Sequence, residues 1–132
     1  MNEEMKITWL KRVLIAKMLV VLLMWGLPTW LAPESILKVF GETMPDNPFY
    51  MRIFGGVQMG LVVLYWFAYQ KPVHNRDIIR YAVIDNTLSF LTIIGFALTV
   101  GVTNPTIWVS AVLVALFAVA FYILIPREPK MP

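Results

Sequence analysis

The sequence predicts an all-α protein, a bundle of four transmembrane helices arranged up and down with both termini in the cytoplasm. Its 132 residues are 59% hydrophobic and only 14% charged, whereas about 25% of the residues of a soluble domain are charged. The apolar residues fall into four blocks, and each has about the 20 residues that a helix needs to cross a bilayer. The composition excludes a disordered tail and argues against nucleic acid as a partner. A single membrane domain is predicted over residues 1–132.

The four predicted spans carry few charges. They cover residues 13–32, 48–70, 78–100 and 105–125. The first contains Lys17, the second has Arg52 in its first turn, and the fourth contains no charge. The third contains Arg80 near its start and Asp85 further in, so that Asp85 is an acid inside an apolar block. The first span differs from a cleaved signal peptide, because the bulky Trp30 stands where cleavage needs a small residue.

Local signals mark the helix starts and the longest connection. The second and fourth spans each follow an Asn-Pro pair, at Asn47 and Asn104. Asparagine is a good N-cap and proline fits the first helical position. The longest connection, residues 33–47, is expected on the outer side of the membrane. Within it, residues 35–40 are expected to form a short helix that ends at Gly41.

The basic residues predict the orientation of the chain. Nine of the eleven lie before or near the start of the first span, around the second connection or in the tail: Lys6, Lys11, Arg12, Lys17, Lys71, Arg76, Arg80, Arg127 and Lys130. Only Lys38 and Arg52 fall on the other side. Since cytoplasmic segments carry the excess of lysine and arginine, both termini are predicted inside the cell. The expected location is the bacterial inner membrane, which the chain crosses several times.

Small residues predict where the helices pack closely. Membrane helices associate through close packing of small side chains, since lipid tails leave no hydrophobic driving force between helices. Gly56 and Gly60 have the small-xxx-small spacing in the second span. Ala111, Ala115 and Ala118 follow at intervals of four and three in the fourth span, which places them on one helical face.

A polar stripe on the third span contains the strongest candidate for a functional group. Tyr81, Asp85, Ser89 and Thr92 recur at intervals of four, four and three, so they share a helical face. An acid inside the membrane is a functional-site hypothesis by default. Lys17 lies at a similar depth, and a structural Lys17–Asp85 ion pair would reduce the cost of both charges. The alternatives are a ligand or proton site that includes Asp85 and Ser89, and a contact with a partner.

Arg52 is the second candidate site residue. It lies in the first turn of its span, near Glu42 and Asp46 in the sequence. One interpretation is that it reaches the lipid headgroups or pairs with one of these acids. The other is that it receives an anionic headgroup or a quinone-like carbonyl.

The remaining residues indicate no catalytic set. His74 is the only histidine and falls in the second connection. Haem and metal sites need several convergent ligands, so neither haem nor a metal ion is predicted, and the cofactor is left open. No catalytic residues are assigned, and an enzyme is not expected.

The start of the second span resembles a known family. The stretch Phe49-Tyr50-x-Arg52-x-x-Gly55 is similar to an element of DoxX-like small four-helix membrane proteins. The long first outer loop and basic inner loop are also similar in layout. The resemblance implies a four-helix membrane protein and, for some members, an accessory subunit of a quinone-linked oxidoreductase. It implies no catalytic residues.

Three functions are compatible with these observations. The first is a non-catalytic accessory or stabilising subunit of a larger membrane complex, for which the resemblance suggests redox or quinone-linked complexes. The second is a small oligomeric proton-coupled transporter that uses Asp85. The third is a lipid-binding or quinone-binding protein that uses Asp85, Ser89 and Thr92 with Tyr65 or Tyr81. The expected partners are membrane lipids and either other membrane subunits or further copies of the chain.

Overall fold

The computed structural model describes residues 2–101 and 104–127, and all regular secondary structure in these ranges is helical. The helices are α1 (Glu3–Leu31), α2 (Glu34–Leu37), α3 (Phe49–Gln70), α4 (Arg76–Gly101) and α5 (Pro105–Leu124). The four helices other than α2 are long and apolar enough to cross a membrane. The predicted all-α class and the four membrane-spanning helices are therefore confirmed, and they indicate an integral membrane protein.

Helix α1 begins ten residues before the first predicted span. Asn2 is its N-cap, and the Oδ1 atom of Asn2 accepts a hydrogen bond from the backbone N–H of Met5 at 2.8 Å. Glu3 and Glu4 in the first turn are favoured by the helix dipole. The hydropathy pattern predicts a span that begins at residue 13, because charged residues such as Glu3, Glu4 and Lys6 precede it. Capping and charge extend the helix beyond the apolar block.

The middle of α1 contains a π-helical segment, Val21–Gly26. Its characteristic i→i+5 hydrogen bond runs from the N–H of Leu27 to the carbonyl of Leu22. Pro28 lies two residues after this segment. Proline has no N–H to donate to the carbonyl of residue 24, and its ring crowds that carbonyl sterically. The wider π turn accommodates this defect, and it changes the direction of the side chains that precede the proline.

The connection between α1 and α3 is tied to the start of α5. Helix α2 continues as a 3₁₀ turn, Lys38–Phe40, and ends at Gly41, whose φ of +73° favours glycine. The side-chain amide of Asn104 donates to the carbonyl of Gly41 at 3.1 Å and to the carboxylate of Glu42 at 2.9 Å. Its Oδ1 atom accepts from the N–H of Thr106 and caps α5. One side chain thus caps a helix and holds the loop.

The helices pack unevenly. Helix α1 lies against both α3 and α5, and α4 packs mainly against α5. Helices α3 and α4 contact each other little. The shared core contains aliphatic and aromatic side chains from all four long helices: Leu10, Leu14, Val21, Leu61, Tyr65, Ala68, Ile79, Ala82, Phe117, Phe121 and Leu124. The weak α3–α4 contact leaves a gap on one side of the bundle.

Close packing of α1 and α3 depends on Gly55. A Cβ atom at this position would overlap the backbone of Trp30, so the two helices meet here without room for a side chain. The predicted pair does not mark this interface. A Cβ atom on Gly56 would only reach ordinary contact with the Trp30 ring at 3.8 Å, and one on Gly60 would meet nothing within 4 Å. Gly56 and Gly60 have the spacing that the sequence suggests for close packing. The glycine that packs tightly against α1 is Gly55.

The inner face of α5 is formed by residues that recur at intervals of three and four, with Ala111 beside Ser110 at its start. Its buried members are Ser110, Ala111, Val114, Phe117, Phe121 and Leu124. Of the three predicted alanines, Ala111 is buried, whereas Ala115 and Ala118 are half-buried at the edge of this face. The packed face of α5 is therefore larger and more aromatic than the alanine spacing alone indicates.

Candidate functional site

The candidate site is built around Lys17, which stands at the midpoint of α1 with only 2% of its surface exposed. Its ammonium Nζ donates to the Oδ1 atom of Asn86 on α4 at 2.6 Å. Asn86 is fully buried, and its Nδ2 atom donates to the carbonyl of Ala82 at 2.7 Å. This second bond orients the amide so that its oxygen faces the ammonium. The principal hydrogen-bond partner of the buried charge is thus a neutral amide.

Three aromatic rings surround the Lys17 ammonium. Its Nζ lies 4.8 Å from the ring centroid of Trp25, 5.0 Å from that of Phe117 and 6.0 Å from that of Tyr65. A cation within about 6 Å of an aromatic ring is attracted by the ring quadrupole, by about 2 kcal/mol when the site is desolvated. A charge at the centre of a membrane helix costs about 2.5–3.5 kcal/mol. Rings and amide together offset this cost.

The π-helical segment explains how Trp25 reaches Lys17. Eight residues of regular α-helix would rotate Trp25 by about 80° away from Lys17. Because a π turn contains one more residue, Trp25 lies close to the helix face of Lys17. Its indole Nε1 also donates to the Oγ atom of Ser110 on α5 at 3.2 Å. Trp25 therefore joins the charged site to α5.

Asp85 lies at the same site but has a different partner. Its Oδ2 atom accepts a hydrogen bond from the hydroxyl of the buried Tyr65 at 3.5 Å. Within the described residues, the ammonium of Lys17 is bonded to Asn86 and not to Asp85. The predicted direct Lys17–Asp85 ion pair is thus replaced by two separate contacts. Neighbouring residues of a helix point about 100° apart, so only one of Asp85 and Asn86 faces α1.

Lys17 and Asp85 both line a cavity of about 340 Å³. Its polar wall comes from all four long helices and consists of Lys17, Gln58, Asp85, Ser89, Thr92 and Ser110. Its apolar wall consists of Trp25, Phe54, Leu88, Ile93 and Val114. The predicted grouping of Asp85, Ser89 and Thr92 on one face is present, while the predicted Tyr81 is largely exposed and does not line the cavity.

The cavity opens sideways, between α3 and α4. These two helices contact each other little. One hydrogen bond joins them, from Tyr65 to Asp85, and a second joins Asn75 in their connection to Phe67. Phe54 on α3 and Leu88 on α4 line the cavity and are about half exposed, at 47% and 59%. In a membrane, such an opening faces the lipid acyl chains.

Several polar groups in the cavity wall have no protein partner in the described part of the chain. Gln58, Ser89 and Thr92 line the cavity but make no hydrogen bond among residues 2–101 and 104–127. Threonines elsewhere on α4 behave differently, since the Thr87 hydroxyl donates to the carbonyl of Val83 at 2.7 Å. Unpaired polar groups at membrane depth are costly. The cavity therefore offers donors and acceptors to a ligand or to water.

A second cavity, of about 330 Å³, adjoins the first. The two share Trp25, Ile93 and Ser110 as wall residues. The second cavity also reaches Glu42 and Thr43 in the connection between α1 and α3. The Trp25–Ser110 hydrogen bond thus lies between a chamber near this connection and the chamber that contains Lys17 and Asp85.

Arg52 lies outside both cavities and stabilises the end of α1. Its guanidinium donates to the carbonyl of Thr29 at 3.3 Å and to that of Ala32 at 2.9 Å. These carbonyls belong to the last turn of α1 and to its C-cap residue, where a helix leaves carbonyl groups without a partner of its own. Arg52 is thus a helix cap for α1 and is not paired with Glu42 or Asp46 in the described structure. Its contact with a lipid headgroup or a quinone-like carbonyl stays a prediction from the sequence.

The site contains residues that sequence reasoning missed. Trp25, Gln58 and Ser110 are not among the predicted site residues. A signal for Trp25 was available, because Pro28 three residues later predicts a helix defect. No such signal existed for Ser110, which is one of several small residues on α5.

Comparisons with known protein families, with curated proteins and with solved structures find no match for this chain. The resemblance to DoxX-like proteins stays a prediction from the sequence. Fold and site together define a broad class, helical integral membrane proteins with a polar cavity between their helices.

Proposed function

We propose that this protein binds a small lipid-soluble molecule in the cavity between its four long helices. The observation that carries the proposal is the 340 Å³ cavity that brings Lys17 and Asp85 to one wall. Its size falls in the range of about 300–1,000 Å³ that ligand sites occupy. Of the functions compatible with the sequence, this is the one that requires such a cavity.

The shape of the cavity supports an amphiphilic ligand. The polar head would lie among Lys17, Gln58 and Ser89, whose donors and acceptors are available. The apolar body would leave between Phe54 and Leu88, both half exposed. Entry would then be lateral, from the bilayer, and would not require the ligand to cross water.

The experiment is purification in a mild detergent, followed by solvent extraction and mass spectrometry of bound small molecules. We expect one lipid-soluble compound enriched over the bulk membrane lipids. Ser89→Phe fills the cavity and should abolish the enrichment. Thr87→Phe makes a similar enlargement on the exposed side of α4 and should retain it. Equal lipid composition in the wild type and Ser89→Phe would contradict the proposal.

We also propose an up-down arrangement with both termini in the cytoplasm of a bacterial cell. Nine of eleven basic residues lie on the proposed inner side, as the positive-inside rule requires. The contact between the Arg127 guanidinium and the Glu3 carboxylate, at 3.2 Å, supports two chain ends on one side.

Membership in a larger complex stays a prediction from the sequence, as does proton-coupled transport through Asp85. The same gentle purification tests the accessory role, since a membrane partner should then elute with the protein. Elution as a monodisperse monomer with no other protein would contradict that role, and it would leave ligand binding to be judged by the extraction.

A further inference from the structure

We propose that the molecule bound in the cavity has a neutral head that contains both a hydrogen-bond acceptor, received by Lys17, and a hydrogen-bond donor, received by Asp85. The inference rests on the proposed function and specifies the ligand class for that site. Monoacylglycerols, which carry an ester carbonyl and hydroxyl groups, are the simplest lipids of this kind.

The first step of the argument concerns unused hydrogen-bonding capacity. An ammonium has three N–H donors, and Lys17 spends one on Asn86. A carboxylate has about four acceptor positions, and Asp85 spends one on Tyr65. Apart from the aromatic rings around it, Lys17 has no further protein partner in the described ranges, so it offers donors to the cavity, and Asp85 offers acceptors.

The second step concerns charge. Among the described residues, Lys17 and Asp85 are the ionisable members of the cavity wall, and they have opposite signs. Each accepts or donates its hydrogen bond with a neutral protein group and forms no direct ion pair with the other, and both line the same cavity. A head with a net charge would be attracted by one and repelled by the other. A neutral head with a dipole satisfies both.

The third step concerns the other polar wall residues. Gln58, Ser89 and Thr92 all carry neutral polar groups without a protein partner in the described ranges. Their amide and hydroxyl groups both donate and accept. This wall matches a head with several hydroxyl or carbonyl groups and adds no further charge.

The test compares four probes with the same ten-carbon chain: monodecanoylglycerol, methyl decanoate, decanoic acid and decylamine. Binding to the detergent-purified full chain is measured by native mass spectrometry. We expect monodecanoylglycerol to bind at least about tenfold more tightly than the other three, because each of them loses one hydrogen bond to a charged group or adds a repulsion.

Substitution of the acid should change the order of affinities. Asp85→Asn leaves Lys17 as the remaining wall charge, so decanoic acid should gain about tenfold over monodecanoylglycerol. Lys17→Met should move the preference toward decylamine. Asp77→Asn makes the same acid-to-amide change on the exposed start of α4, where Asp77 pairs with Arg80 at 3.0 Å, and should leave the order unchanged.

The outcomes separate the two proposals. Binding of all four probes with similar affinity, or an order of affinities that Asp85→Asn does not change, would overturn the proposal that the ligand has a neutral head with a donor and an acceptor. The proposal of ligand binding would remain. Absence of binding by every probe, together with no enriched lipid in the extraction, would overturn both. Should Lys17→Met fail to fold, the comparison of Asp85→Asn with Asp77→Asn decides the question on its own.

Discussion

The Lys17 ammonium on α1 and the Asn86 amide oxygen on α4 lie 2.6 Å apart inside the bundle, and both side chains are almost fully buried. This contact joins residues of two helices that are 69 positions apart in the sequence. A charge-assisted hydrogen bond of this kind is among the stronger polar contacts between helices. It stabilises the rotation that α4 takes by packing against α5, in which Asn86 faces α1.

We expect Asn86→Leu to lower the free energy of unfolding by about 1.5–3 kcal/mol, because the buried Lys17 charge loses its hydrogen-bond acceptor. The measurement is the thermal unfolding midpoint in detergent. Thr87→Val, at the neighbouring exposed position where the hydroxyl bonds within its own helix, should change stability by less than about 0.5 kcal/mol. Equal effects of the two substitutions would show that the Lys17–Asn86 contact is energetically unimportant.

Gly55→Ala should destabilise the protein by about 1–3 kcal/mol, since the added methyl group overlaps the backbone of Trp30 and forces α1 and α3 apart. Gly60→Ala is the matched control on the same helix. It meets nothing within 4 Å, and should raise stability by about 0.5–1 kcal/mol through helix propensity. Unfolding in detergent distinguishes them, and the opposite ranking would mean that α1 and α3 pack through a different face.

Arg52→Met keeps the length of the side chain but removes the donors to the carbonyls of Thr29 and Ala32. We expect faster amide hydrogen exchange over the last turn of α1 and a loss of about 1–3 kcal/mol. Lys38→Met removes an exposed pair with Glu34 and should cost about 0–1 kcal/mol. Unchanged exchange in Arg52→Met would argue that the cap is not formed in the membrane.

Trp25→Phe keeps a ring near Lys17 but loses the indole donor to Ser110. It should cost about 0.5–1.5 kcal/mol, and Ser110→Ala should cost a similar amount. Because the two residues share one hydrogen bond, the double substitution should cost much less than the sum of the single ones. Additive costs in this double-mutant cycle would mean that the two residues act independently.

The proposed orientation can be tested with single cysteines, because the natural chain contains none. We expect Thr43→Cys to react with a membrane-impermeant maleimide in intact spheroplasts. His74→Cys should react only after the membrane is permeabilised. Reversed labelling would place the termini on the outer side, and labelling of both positions in intact spheroplasts would contradict the four-span arrangement.

Local properties of the chain were sufficient to predict the helices. The apolar blocks predict the four spans to within about two residues at most ends. The short helix at Glu34–Leu37 and its end at Gly41 can be predicted from the few residues of that turn alone. Helix α1 is the exception, because its first turns are stabilised by the Asn2 cap and not by hydropathy. Hydropathy and capping depend on near neighbours in the sequence, so both can be predicted without a fold.

The site could be predicted only in part. That Lys17 and Asp85 lie at similar depth follows from counting residues along helices of known rise. That Asn86 and not Asp85 meets Lys17 depends on how α4 is rotated, which α5 decides by packing against it. A one-residue difference in this rotation changes which polar side chain faces α1.

What the sequence by itself determined is the number and the hydrophobicity of the spans, and the ends of the last three, since these depend on consecutive residues. Only the tertiary structure decided the helix faces. The π segment before Pro28 turns Trp25 toward Lys17, Gly55 and not Gly60 meets α1, and the weak contact of α3 with α4 opens the cavity. Helix faces depend on rotations of whole helices, and these are set by contacts between residues far apart in the chain.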